Sequence, residues 1–186
     1  MRVIAGIAKG RKLKSPSGVN TRPVTDQIKE AIFNIWQFQI ANSRFLDLFA
    51  GSGAMGIEAL SRGAAKVILV DKSPEAVKII RENLSNCGFS NYILQKADVF
   101  RVIEQLDSQH EQFDFIYVDP PFTQPDLFLP VLQQLAAKGL LSIDGSLAIR
   151  SRKKFILPDF IGSLYKSRLA GYGESSVHFY NKRGEI

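Results

Sequence analysis

The 186-residue sequence predicts an α/β fold: a mostly parallel sheet with helices on both faces, preceded by a small basic hairpin and closed by an antiparallel one. Three observations lead there. From Ser43 to Ser151, short apolar runs alternate with segments whose apolar residues recur at helical spacing, the signature of repeated β-α units. The turn "DLFAGSGAMG" (47–56) lies between the first such run and its helix, where an open parallel sheet begins its ligand crevice. The last stretch, "GSLYKSRLAGYGESSVHFYN", lacks a helical period and holds two β-rich runs joined through Gly171-Tyr172-Gly173.

The elements follow in order. Residues 1–14 alternate weakly around Gly6 and Gly10 and predict a short hairpin, and "KSPSGVNTRP" reads as a loop. Ile28, Ala31, Ile32, Ile35 and Trp36 then form the apolar stripe of a helix capped by Thr25 or Asp26. Next come a strand "FLDLF", a helix over 54–62, a strand "KVILVD", a helix over 74–87, a strand "YILQKAD" and a helix over 99–107. The strand "FDFIYVD", a helix over 126–138 with Phe128, Val131, Leu132 and Leu135 on one face, and a fifth strand "SLAIRS" complete the alternation. One domain over 1–186 is expected, divided into a basic extension (1–22), an N-terminal helix (23–42) and the core (43–186).

With 45% hydrophobic and 23% charged residues, the composition is that of a soluble globular protein. No apolar run approaches the roughly 20 residues that cross a bilayer, and the N-terminus lacks a leader pattern, so a cytoplasmic location is expected. A single Cys87 and two distant histidines, His110 and His178, offer no Cys/His zinc site, and a metal-free mechanism is the expectation. The net charge of +6 is concentrated in residues 1–22, where Arg2, Lys9, Arg11, Lys12, Lys14 and Arg22 meet no acidic residue. Such an arm suits a polyanion, the alternative being a solvated, frayed tail.

The turn at 47–56 contains G-x-G-x-x-G, which suits any nucleotide-like cofactor. Gly51 and Gly53 let a ligand touch backbone, Phe49 belongs to the same turn, and Asp71, followed by Lys72, is placed after the second strand to accept from ribose hydroxyls. Two features argue against a dinucleotide. Asp47 would oppose a pyrophosphate but welcome an ammonium. Asp98, after the third strand, could accept from an adenine amine while the Val99 N–H meets a ring nitrogen, although an N-cap role fits it equally well. Three acids after strands one, two and three thus suit a ligand with an amino-acid end, a ribose and an adenine, which are the parts of S-adenosylmethionine.

The fourth strand runs into Asp119-Pro120-Pro121-Phe122. Two prolines stiffen the turn and remove two N–H donors, leaving the Asp119 carboxylate and backbone carbonyls as acceptors for an exocyclic base amine. Phe122 would stack on that base, a contact worth about 1–3 kcal/mol.

"TRPVTDQIKEAIFNIW" (21–36), "FLDLFAGSGAMGIEALSRGA" (45–64) and "VDPPF" (118–122), in this order behind a basic hairpin, resemble the RsmD family of bacterial 16S rRNA guanine-N2 methyltransferases. The likeness covers nearly the whole chain. It implies a Rossmann-like class I S-adenosylmethionine-dependent methyltransferase with a seven-stranded sheet. Gly51, Gly53, Asp71 and Asp98 would hold the donor and Asp119 to Phe122 carry the catalytic motif. The implied target is guanine 966 of 16S rRNA, free or in the 30S subunit, and the expected state is a monomer. Arg2, Arg11, Lys12, Lys14 and Arg22 are the candidates for the RNA footprint. Two positions depart from the family pattern: Val24 replaces a second Thr, and Arg150 stands where members commonly carry a Glu. Competing readings are an adenine-N6 DNA methyltransferase, an RNA-binding protein retaining the cofactor pocket without turnover, and a dehydrogenase.

Overall fold

The computed structural model of the protein describes residues 1–16 and 24–183. Its strands are β1 (Arg44–Leu48), β2 (Lys66–Asp71), β3 (Tyr92–Lys96), β4 (Phe113–Val118), β5 (Leu141–Arg152), β6 (Phe160–Ile161), β7 (Leu164–Tyr172) and β8 (Ser175–Lys182). They form one sheet in the order β3-β2-β1-β4-β5-β8-β7-β6. The first five positions are parallel and the last three pairings antiparallel. The seven expected strands are therefore present, and the two-residue β6 adds an eighth at the edge. Chain order reverses at β1, which lies between β2 and β4, so the crevice opens at the carboxyl ends of β1 and β4.

Among the described residues, five helices cover the sheet: α1 (Asp26–Trp36), α2 (Ala54–Ser61), α3 (Pro74–Cys87), α4 (Val99–Ser108) and α5 (Phe128–Ala137). Their ends follow local chemistry. Thr25 accepts from the Ile28 N–H, Ser73 caps α3 ahead of Pro74, and Gly88 closes α3 in the left-handed region. The helix expected over 126–138 is divided into a 3-10 turn, Pro125–Leu127, and α5, because Pro130 fits within the first turn of a helix that starts at Phe128. Among the described residues, no helix is long and apolar enough to cross a membrane.

Alternate side chains of the central strands feed two cores. Phe45, Val67, Leu69, Phe115 and Tyr117 face one side, and Leu46, Leu48, Ile68, Val70 and Ile116 the other. On the first side Trp36 lies 4.8 Å from the Phe115 ring and packs edge-on against Phe33, Phe45 and Phe179. This corrects the stripe read for α1. Phe33 and Lys29 are buried, whereas Ile35 is 37% exposed. The helix is rotated so that Phe33 joins the aromatic cluster and Lys29 reaches a buried carboxylate.

That carboxylate is Glu58, and it anchors the basic arm. It accepts from the Ile4 and Ala5 N–H groups at 2.8 and 3.0 Å, from Arg62 Nε at 2.9 Å, and pairs with Lys29 Nζ at 3.2 Å. Lys29 also donates to the Arg2 carbonyl, and burial holds its pKa below the usual lysine value against the pull of Glu58. The arm is a hairpin, with Arg2 bridged to Lys12 and Val3, Ala8 and Leu13 buried. Gly6 has φ +82°, and a Cβ there would fall 1.7 Å from the Ser61 carbonyl oxygen, so only glycine permits this approach. The alternative of a frayed tail is thereby overturned for residues 1–13.

Candidate active site

One cleft of about 970 Å³ opens at the carboxyl ends of the parallel strands, at the large end of the range for ligand sites. Asp47, Phe49, Gly51, Asp71, Lys72, Asp98 and Val99, all expected to meet a cofactor, line it together with Asp119, Pro120, Pro121 and Phe122. Gly53 is the exception. It is buried at the N-cap of α2 with φ +75°, so it shapes the turn from behind the wall. Phe49 also adopts a positive φ, +62°, an unusual conformation for a bulky residue and one found at functional turns.

The acids do two things at once. Asp71 accepts from the Gly51 N–H at 2.8 Å and the Ser73 N–H at 2.9 Å, tying the end of β2 to the glycine turn. Asp98 accepts from the Phe100 N–H at 3.0 Å, so the N-cap reading holds while the residue also borders the cleft. Asp47 is 1% exposed and accepts from the Gly56 N–H at 2.9 Å. Burial, with the charges of Asp119 and Asp71 adding to it, pushes its carboxyl up to about 8 against that hydrogen bond. A buried carboxyl of this kind, on the wall of a cleft, is a place where a ligand cation would restore ionisation.

At the other end of the cleft, Asp119 follows β4, and its N–H bonds to the Leu48 carbonyl at 3.3 Å. Its carboxylate accepts from Arg150 Nε at 2.9 Å and from the Tyr117 hydroxyl at 3.3 Å. Burial raises the Asp119 carboxyl above the usual range even though Arg150 pulls it down, and burial beside Asp119 holds the Tyr117 hydroxyl well above the usual tyrosine value. The Arg150 and Arg152 guanidinium carbons lie 5.0 and 5.9 Å from the Phe122 ring centroid.

Tyr117, Arg150 and Arg152 were not among the site residues read from the sequence. Tyr117 carried a signal, since residues two apart on a strand share a face and Asp119 follows it by two. Arg150 stood out only as a departure from the family pattern and Arg152 not at all, because their proximity to Asp119 and Phe122 depends on strand register. Ser15 and Pro16 also border the cleft, which brings the N-terminal segment to the site. Of the candidate RNA contacts, Arg2, Arg11, Lys12 and Lys14 are exposed on the arm; Arg22 lies outside the described residues. Lys14 pairs with Glu82 at 2.8 Å and lines a second groove with Lys78 and Arg81. Among the described residues, no group of three or more His, Cys, Asp or Glu side chains is placed to hold a metal ion.

A family model described as "Conserved hypothetical protein 95" matches residues 1–181. The chain belongs to this family, the RsmD family. It is similar to the Bacillus subtilis (strain 168) protein YlbH, provisionally named an rRNA methyltransferase, at 37% identity over 99% of this chain and 100% of that protein. It is similar as well to the ribosomal RNA small subunit methyltransferase D of Escherichia coli (strain K12), at 30% identity over 100% of this chain and 92% of that one. A solved Escherichia coli structure, provisionally named a methyltransferase, superimposes with a TM-score of 0.87 at 29% identity, covering 100% of this chain and 99% of its own. The RsmD family member described here thus has the fold of S-adenosylmethionine-dependent methyltransferases, as expected.

Proposed function

We propose that the protein is an rRNA methyltransferase that uses S-adenosylmethionine to methylate the exocyclic N2 of a guanine in 16S rRNA, position 966. The observation that carries the reading is the juxtaposition in one cleft of Asp47, Asp71 and Asp98 at one end and the stiff Asp119-to-Phe122 turn at the other. The names of the relatives support an rRNA substrate.

The residues fit the donor by chemistry. Asp47 offers a carboxylate to an ammonium, Asp71 accepts from ribose hydroxyls, and Asp98 with the Val99 N–H meets an adenine edge. The bound donor supplies an electrophilic methyl group. The chain's part is to present the acceptor: Asp119 and a carbonyl of the Pro120 region accept from the amine, localise its lone pair and orient its nitrogen. Phe122 stacks on the base, which must leave its own stack to reach this depth. The exposed arm cations, held rigidly by Glu58, contact phosphates and set register, while the cleft reads the base. In this reading the whole chain acts as one cytoplasmic catalytic domain on 16S rRNA or the 30S subunit.

The test is transfer of labelled methyl groups to 30S particles and 16S rRNA lacking the modification, with mass spectrometric mapping of the product. Asp119→Ala should abolish transfer and leave donor binding. A wild-type protein inert on every RNA form would overturn the proposal, and labelling of duplex DNA instead would establish the adenine-N6 alternative.

A further inference from the structure

We propose that Arg150 is a positioning residue for methyl transfer, orienting the Asp119 carboxylate and the Phe122 ring as one unit. This rests on the reading that Asp119 and Phe122 receive a nucleobase amine. The parallel register of β4 and β5 pairs Val118 with Ile149, so Asp119, the first residue after β4, falls beside Arg150, which is still within β5 and paired with Val177 of β8. The Arg150 side chain is 5% exposed, its Nε donates to Asp119 Oδ1 at 2.9 Å, and its guanidinium lies over Phe122 at 5.0 Å. One planar cation therefore touches both ends of a four-residue turn whose middle is stiffened by Pro120 and Pro121.

The hydrogen bonds show what this does to the acceptor. Arg150 occupies Oδ1 and the Tyr117 hydroxyl occupies Oδ2, which fixes the carboxylate plane. Each carboxylate oxygen has a further lone pair, so capacity to accept from an amine remains. The charge balance depends on the same residue. Asp119 is faced by Tyr117 on the preceding strand β4, by Asp47 on β1 and by Arg150 on β5, while Arg152, at the end of β5, lies over Phe122. Burial favours the protonated carboxyl, and Arg150 is the cation bonded to it. Without Arg150, Asp119 takes a proton at a higher pH and presents a donor where the amine requires an acceptor.

Arg150→Met removes the cation and Arg150→Lys keeps a charge without the planar fork. Methyl transfer to unmodified 30S particles is measured for both from pH 5.5 to 9. In parallel, the ligand-free proteins are titrated by carboxyl 13C NMR, with the resonance missing from Asp119→Asn assigning Asp119. The expected result for Arg150→Met is an acid limb of kcat moved up by about one pH unit. That is a roughly tenfold deficit on the acid side that narrows toward pH 9, with the donor KM within about twofold. The Asp119 midpoint should move with it, and Arg150→Lys should recover part of both. An Asp119 midpoint unchanged in Arg150→Met, or an equal loss of kcat at every pH, would overturn the proposal. A wild type inactive on every RNA form would sink the functional reading alone, since the carboxyl titration still decides whether Arg150 governs Asp119.

Discussion

Replacing Asp47 by Asn should stabilise the ligand-free protein while weakening its hold on the methyl donor. The carboxyl is buried beside β4 and its pKa lies at about 8, against 3.8 for an exposed aspartate. At pH 7 the unfolded chain ionises this group and the folded chain protonates it. The interval from 3.8 to 7, at 1.36 kcal/mol per unit, costs the folded state about 4 kcal/mol. Asn keeps an acceptor for the Gly56 N–H and carries no titrating charge, but its amide needs partners, a loss of about 1–3 kcal/mol. The net gain is about 1–3 kcal/mol, or a rise in Tm of roughly 2–12 °C for a chain of this size. Because the folded pKa is raised, the Asp47 contribution is fullest below 3.8 and is lost as pH rises toward about 8, so the advantage of Asn grows across that window. Thermal unfolding of both proteins from pH 5 to 8 measures this. Calorimetric titration with S-adenosylmethionine in buffers of different ionisation enthalpy supplies the second half. Wild type should release up to about one proton at pH 7 as the ammonium ionises Asp47, and the variant should release none and bind more weakly. A variant that melts below wild type at pH 7, or a Tm difference that does not vary with pH, would refute the reasoning.

Three further outcomes follow from the same geometry. Glu58→Gln leaves the buried Lys29 with only the more distant, half-exposed Asp26 as counter-charge and should cost up to about 3–5 kcal/mol in urea unfolding; trypsin should then cut the arm at Lys9 to Lys12 faster, and RNA affinity should fall more than donor affinity. His178 is buried, with Ser151 Oγ 3.1 Å from Nε2 and no partner for Nδ1 among the described residues, and burial holds its pKa down at about 4. Its stabilising contribution is therefore complete above about 6.5 and lost as pH falls toward about 4; His178→Phe should be less acid-sensitive than wild type by up to about 3 kcal/mol, read as the difference between their stability curves against pH. Phe122→Ala should weaken productive RNA binding by about 1–3 kcal/mol in single-turnover kinetics and change donor affinity far less.

Much of the fold was legible because its signals are local. Ser73-Pro74 at the start of α3 and Gly88 at its end mark a helix without reference to anything distant, and the runs at 66–71 and 113–118 can bury themselves only as inner strands. The acids of the site were legible for a related reason. In a parallel sheet all strands end on one edge, so Asp47, Asp71, Asp98 and Asp119 had to meet once their strands were recognised. The face of α1 was not, because its periodicity allowed either Ile35 or Phe33 inside. Nothing near Lys29 announces that Glu58, in another helix, will receive it.

What the amino-acid order determined by itself was the alternation of elements, the edge on which the ligand crevice opens and the acidic and aromatic groups at its rim. What only the tertiary structure decided was how those groups are held: Arg150 against Asp119 and Phe122 through the register of β4 and β5, and the basic arm against Glu58 through the rotation of α1. The division has one physical cause. Hydrogen-bonding caps and apolar periodicity act between neighbours along the chain, whereas buried charge pairs form only after desolvation brings distant segments into contact.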